Sequence, residues 1–509
     1  MLQLNESGLR DRAAWEEKGY ILPAYDRQKM IGETLKAPRW IHFGAGNIFR
    51  AFQCNAVQRL LDKGSMDTGI IAAEGFDYEI VEKGYRPNGN YSLLVTLHAD
   101  GSIEKTVIGS IAASYILDSE NEKEFGELKA VFRNPALQIA SFTITEKGYS
   151  LVDGKGELLP DVAADFRAGP ARPRSYIGKV ASLLYARYQA KKSGLVILSC
   201  ELIDHNGDEL KRCVNEYIRL WEMEEEFRNW VNEENIFCST LVDLIVTGSP
   251  KGDAPAICEK LGYEDQLIDT GELFAAWVIE GPQSIKEELP FEKAGLPIQV
   301  VDDVTPYKQR KVRILNGAHT SMVLGAYLAG KNIVRDCMQD ENIRAYLNKA
   351  MFEEIIPTLD LPKEELSTFA ASVIDRFDNP YIDHQLLDIS LNSASKWKAR
   401  VMPSVTEYVK RKGELPHCLT FSFAAFIAFY HQGERNGEAY PVRDDAWVLE
   451  FFNAHKEDTC DELAHAVVNN EKMWGRELAE LSGFEAAVAN DLRRIEEAGM
   501  YEAMRECLA

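Results

Sequence analysis

The sequence predicts an α/β N-terminal half built on a doubly wound, mainly parallel sheet, followed by a mainly α-helical C-terminal domain. Three observations predict it. Short apolar runs alternate with helical patterns up to about residue 285, the first run meets a helix at a glycine turn, and helix-period apolar spacing dominates from Lys308 onward.

Residues 1–38 are polar and partly helical in pattern, ending at a loop-like Lys36-Ala37-Pro38. Arg39-Trp40-Ile41-His42-Phe43 then reads as a strand that stops at Gly44-Ala45-Gly46, and Asn47 to about Lys63 reads as a helix. A second strand, Gly69–Ala73, ends at Glu74. Tyr91–His98 and Ile103–Ile111 flank a turn-forming Asp100-Gly101 and read as a hairpin inserted in the sheet. Gln138–Ile144, Leu195–Cys200 and Ile298–Val301 are further strand-like runs. The character changes after Gly281-Pro282, which suggests domains at 1–285 and 286–509. Thr305 suits an N-cap and Pro306 a first helical position. Helical patterns follow at Lys308–Ala329, Glu341–Ile356, Leu366–Phe377, Thr420–Tyr430, Asp444–Asn453 and Phe484–Glu506.

Composition narrows the function. With 57 Lys+Arg against 80 Asp+Glu the 509-residue chain carries a formal charge of −23, and its cations are scattered, so no basic stripe is offered to nucleic acid. The nine cysteines show neither C-x-x-C pairs nor zinc spacing and read as buried reduced thiols, and no metal is expected. An acid-containing N-terminus without an apolar signal core, and no long apolar span, lead us to expect a cytoplasmic protein without membrane partners.

Gly44-x-Gly46-x-x-x-Arg50 departs from the strict dinucleotide fingerprint, because Phe49 replaces its third glycine. Its setting supports the same role: glycines where a strand meets a helix expose backbone N–H groups, including that of Asn47, to a pyrophosphate. Glu74 at the end of the second strand is placed to accept from a ribose 2′-hydroxyl, and its charge disfavours a 2′-phosphate, so NAD is expected over NADP. Asp77 competes for that role.

Lys311-Val-Arg-Ile-Leu-Asn316-Gly-Ala-His319 carries the chemistry. On an ideal helix Lys311, Lys308, His319 and Asn316 stand at about 0°, 60°, 80° and 140°, on one face, with Lys311 and His319 about 12 Å apart along the axis. Reduction of a ketone needs a proton donor at the oxygen and hydrogen-bond donors for its developing charge. A lysine serves as acid and base if burial or neighbouring cations lower its pKa, and Lys308 and Arg310 are such neighbours. A solvated helix face is the alternative reading.

Lys311-x-x-x-x-Asn316-x-x-His319, with the Gly-x-Gly-x-x-x-Arg turn, resembles the signature of the long-chain polyol dehydrogenases, the mannitol dehydrogenase family. Thr143–Tyr149, Ser199–Gly207 and Phe237–Asp243 are similar to further segments of it. The resemblance implies a Rossmann-like domain with a helical partner, use of NAD without a metal, and a small sugar-acid substrate, in a keto-uronate reductase; a polyol dehydrogenase or an inactive nucleotide-binding protein are the alternatives. It implies Lys311 as acid/base, Asn316 and Asn206 as oxyanion donors, His319 as a substrate-orienting group, and Gly44, Gly46, Asn47, Arg50, Glu74 and Thr145 at the cofactor. Two departures stand out. Glu201-Leu202 replaces an acid–amide pair, and Lys308 replaces an acid three residues before the lysine. The second suggests that Lys308, with Arg310, selects for a carboxylate. His384 and Asp243 are further candidates for the substrate region, and His42 is expected to be a satisfied buried histidine.

Overall fold

The computed structural model describes residues 2–508 apart from 99, 154, 247, 249–253, 266 and 382. The chain forms two compact units, Met1–His98 with Ser102–Val304, and Ala99–Gly101 with Thr305–Ala509.

The first unit is built on an eight-stranded sheet: β1 (Trp40–Phe43), β2 (Ile70–Glu74), β3 (Ile111–Ile116), β4 (Ile139–Phe142), β5 (Val196–Ser199), β6 (Ile236–Asp243), β7 (Ala276–Glu280) and β8 (Ile298–Val301). Their spatial order is β8-β7-β6-β5-β4-β1-β2-β3. Strands β1 to β6 are all mutually parallel, and β7 reverses against β6. The order 3-2-1-4-5-6 is that of the dinucleotide-binding fold, and it puts the end of β1 at the topological switch point. Alternation along each strand makes two cores. Trp40, Ile70, Ala72 and Ile139 enter one with Phe49, Phe52 and Trp277, while Ile41, Phe43, Ile71, Ala73 and Phe142 enter the other with Leu128 and Val180. Burial on both faces explains why these strands read as unbroken apolar runs.

Two sequence expectations are corrected here. The hairpin Ser92–Leu97/Ile103–Ile108 forms, but it belongs to a separate four-stranded sheet with Tyr20–Ile21 and Ile268–Glu272. Gly109-Ser110 ends it: the Gly109 N–H donates to Gln58 and the Ser110 hydroxyl to the Cys54 carbonyl, and β3 then starts afresh in the main sheet. The units divide between Val304 and Thr305 rather than near 285, because β8 pairs in register with β7.

The second unit is helical. Gly317–Leu328 and His417–Gln432 are buried on nearly all sides, as helices at the centre of a bundle are. Around them Trp397, Phe423, Phe426 and Trp474 interlock edge to face. The pattern at Phe484–Glu506 is two helices, Phe484–Ala498 and Met500–Glu506, because Gly499 adopts φ 82°, outside any helix.

Candidate active site

In the first unit β1 delivers the chain to Gly44, whose φ of 104° and whose approach to the Thr143 carbonyl, 2.6 Å from an ideal Cβ, both require glycine. A Cβ at Gly46 meets no protein atom within 4 Å, and Gly46, Asn47 and Ile48 are exposed at the mouth of the helix that begins there. Open N–H groups at a helix start, on a backbone that another molecule can approach closely, suit a pyrophosphate.

Glu74 is buried at the end of β2 and braces this turn. One oxygen accepts from Ala45 N–H at 2.6 Å, the other from Phe76 and Asp77 N–H at 2.7 and 3.2 Å. A carboxylate has about four acceptor positions, so one remains for a ribose hydroxyl. Asp77 is exposed and accepts from Ile80 N–H. Beside Glu74 opens a cavity of about 360–460 Å³ class size, 460 Å³ in volume, lined by Gly75, Phe76, Tyr78, Gly148 and Tyr176 among others. Its size falls in the range of small-molecule sites. Thr145 is exposed at the turn Glu146–Tyr149.

Arg50 corrects the sequence reading of a cofactor ligand. It is buried, and its five N–H groups are all committed inside the protein. Nε and Nη2 grip Asp269 at 2.8 Å each, Nη2 also reaches Asn47 Oδ1 at 2.6 Å, and Nη1 reaches the Ala45 carbonyl at 2.8 Å and Tyr85 Oη at 3.3 Å. Arg50 therefore holds the glycine turn from beneath. Burial lifts the Asp269 carboxyl to about 6, yet the bidentate contact keeps both partners charged at neutral pH. Asp269 has no signal in the sequence; it lies 219 residues from its partner.

Asn206 is a second correction. It is fully buried, gives its two amide hydrogens to the carbonyls of Glu201 (2.8 Å) and Thr240 (3.0 Å), and accepts from Thr240 N–H at 2.9 Å. No hydrogen is left for an oxyanion; it ties the β5 loop to β6. The neighbouring Glu201, which sequence reasoning passed over, is buried, accepts from Tyr149 Oη at 2.6 Å and Ile144 N–H at 3.0 Å, and is pushed up to about 7 by that burial. Asp243 is buried at the end of β6. His42 is satisfied as expected, between Ser141 Oγ at 2.6 Å and Thr143 Oγ1 at 2.7 Å, and burial keeps it neutral.

In the second unit the segment 305–328 runs as one helix, α-helical over Thr305–Arg310, π-helical over Lys311–Asn316, and α-helical again over Gly317–Leu328. Closing rings from i to i+5 widens the turn and stacks residues five apart, so Lys311 and Asn316 align more closely than the 140° of an α-helix. Lys308, Lys311, Asn316 and His319 are all half-buried. His319 stacks on Phe377 at 3.9 Å, meets His384 edge-on at 5.6 Å, and buries an Nε2 that has no hydrogen-bond partner among the described residues. Burial, then the positive neighbours His384, Arg376, Arg400 and Lys396, hold its protonation well below the usual histidine range. His384 is exposed. Arg310 is a third correction: its buried guanidinium contacts Glu365 at 2.5 Å and lies over the Phe369 ring, where it serves the helix packing. Among the described residues no three His, Cys, Asp or Glu side chains gather into a metal-holding group.

Comparison with known proteins agrees with this division. The Mannitol dehydrogenase Rossmann domain matches residues 38–293, and the Mannitol dehydrogenase C-terminal domain matches residues 303–496. Altronate oxidoreductase of Escherichia coli O139:H28 (strain E24377A / ETEC) is 39% identical over 482 residues, covering 92% of this chain and 96% of that protein. The altronate oxidoreductase of Shigella flexneri is similar to the same extent, 39% over 482 residues, with the same coverage of both chains. Among solved structures, a D-sorbitol dehydrogenase in substrate-free form superposes with a TM-score of 0.84 at 24% identity, over 99% of this chain and 100% of that one. Pseudomonas fluorescens mannitol 2-dehydrogenase, solved with NAD and D-mannitol, gives 0.67 at 24% identity, over 100% and 99%. With both domains matched and such identity sustained along nearly its whole length, the chain belongs to the mannitol dehydrogenase family.

Proposed function

We propose that this oxidoreductase interconverts D-altronate and D-tagaturonate with NAD(H), acting on a small sugar acid in the cytoplasm. The observation that carries the chemistry is the alignment of Lys311, Asn316 and His319 on one helix with a π turn between the first two. The choice of a uronate over a neutral polyol is supported by the altronate oxidoreductase relatives. The turn at Gly44, Gly46 and Asn47, with Thr145 nearby in the sequence reading, receives the dinucleotide, and the remaining acceptor position of Glu74 takes a ribose hydroxyl. Bound NADH supplies the hydride.

Lys311 directs its ammonium group at the ketone oxygen and gives it a proton as the carbonyl carbon is reduced; in the reverse direction the neutral amine removes the hydroxyl proton. Asn316 donates a hydrogen bond to the same oxygen and stabilises its negative charge. His319 is held neutral, so it orients a substrate hydroxyl without competing for the proton. Lys308, Asp243 and His384 complete the substrate region in this reading. No described helix is long and apolar enough to cross a membrane.

The test is the loss of NADH absorbance with D-tagaturonate, D-fructuronate and D-fructose. We expect the highest kcat/KM with tagaturonate. A higher value with neutral fructose, or no reaction with either uronate, overturns the proposal.

A further inference from the structure

The helical unit gathers more positive charge around His319 than proton transfer uses. Lys396 and Arg400 stand four residues apart on the helix Ser393–Arg400, hence on one face. The end of that helix packs on the Lys311–His319 segment, since a Cβ on Gly317 comes within 3.0 Å of the Arg400 carbonyl oxygen. Arg376 ends a neighbouring helix, next to the Phe377 ring that stacks on His319. Lys396 and Arg400 are both half-buried. Lys396 gives one hydrogen bond to the Ile389 carbonyl at 2.8 Å.

The acids near this cluster are otherwise engaged. Asp444 accepts from Tyr430 Oη at 2.5 Å and from Ala394 N–H at 3.1 Å, and it acts on Lys396; Asp388 acts on His384. Among the described residues no carboxylate pairs with Arg400, whose protonation is depressed by burial alone. Like charges brought together at partly desolvated positions repel unless an anion joins them. The buried, unpartnered Nε2 of His319 independently marks the same place as one where a ligand's polar group is wanted.

We propose that Arg400 and Lys396 form the anchor for the substrate's carboxylate and so select a uronate over a neutral ketose. The planar guanidinium offers two parallel N–H donors that match a carboxylate, and the ammonium adds a charge from the adjacent turn. This role replaces the one the sequence suggested for Arg310. It rests on the uronate reading above, and the experiment separates the two.

The wild type, Arg400→Gln, Arg400→Lys, Lys396→Gln and Lys396→Met are assayed with NADH against D-tagaturonate and D-tagatose, with NADH affinity and thermal melting measured on each. For the two glutamine variants we expect the uronate-to-ketose ratio of kcat/KM to fall about ten- to hundredfold, chiefly through the uronate KM. Arg400→Lys recovers part of the ratio, and Lys396→Met loses it as Lys396→Gln does; these two settle the matter if a glutamine variant fails to fold. A wild type that prefers the uronate, with variants that keep its ratio, overturns the anchor alone. A wild type that prefers the neutral ketose overturns the functional reading and the anchor with it.

Discussion

Asp269→Ala tests whether the glycine turn is held by a buried ion pair. The substitution leaves the Arg50 charge in place, with its contacts to Ala45, Asn47 and Tyr85 intact and the Nε and one Nη2 hydrogen without an acceptor. At 3% exposure for Arg50 and 1% for Asp269, water does not replace the lost carboxylate. Breaking one side of such a pair costs about 3–5 kcal/mol, a large share of the ~5–15 kcal/mol that stabilises a typical folded protein. At ~2 °C per kcal/mol for a unit of this size, melting falls by roughly 6–10 °C. Because Arg50 also positions Ala45 and Asn47, NADH affinity, read by fluorescence titration below the melting range, falls about tenfold, or ~1.4 kcal/mol. The double variant Arg50→Met/Asp269→Leu separates the two effects. Removing both charges restores most of the melting temperature, but NADH binding stays weak because no guanidinium holds the turn. A single variant that melts within 2 °C of wild type, or a double variant that binds NADH normally, refutes the reasoning.

Three further outcomes follow from the same geometry. Gly46→Ala leaves melting unchanged, because its Cβ meets no protein atom, yet weakens NADH binding at least tenfold; Gly44→Ala lowers melting as well, from a positive φ and a 2.6 Å approach to Thr143. Lys311→Ala lowers kcat by about 10²–10⁴ while the NADH dissociation constant stays within twofold, measured by steady-state kinetics and titration. Glu201→Gln changes the pH dependence of stability. Burial raises the Glu201 carboxyl to about 7 in the folded protein, so between the unfolded value of 4.5 and 7 the native state holds a proton that the unfolded state has lost. Stability therefore falls as pH rises through that window, by roughly 3 kcal/mol, and is regained as pH falls. The variant lacks this component, so its urea midpoint moves less than that of the wild type between pH 5 and 7.5.

The sheet was legible because strands covered on both faces must be apolar along their whole length, and β1, β2, β4 and β5 are. The glycine turn and the Lys311 helix were legible because backbone conformation and helical spacing are local. What escaped depends on partners distant in sequence. Nothing in Ile268–Glu272 announces that it pairs in parallel with Ser92–Leu97 and carries Asp269 to Arg50. An asparagine seen only as a residue type offers the same two donors whether it faces a substrate or, like Asn206, two backbone carbonyls. Arg310 looks from its neighbours like a free cation, and only the fold supplies Glu365.

Both functional helices share a departure from ideal geometry that residue counting does not capture. The helix after the glycine turn is π-helical over Phe49–Cys54, and the catalytic one over Lys311–Asn316. Neither stretch contains proline or glycine, so propensity gives no warning. In each, the widened turn coincides with the residue whose direction matters. Arg50 sits in the first and sends its guanidinium back to the Ala45 carbonyl, one turn before its own backbone. Lys311 opens the second and Asn316 closes it, so the i to i+5 ring brings a proton donor and an amide toward one line where an α-helix would set them well over a right angle apart. Ideal-helix arithmetic thus identified the correct face and underestimated the convergence on it. The irregular turn is the means by which two side chains of one helix can address one oxygen atom.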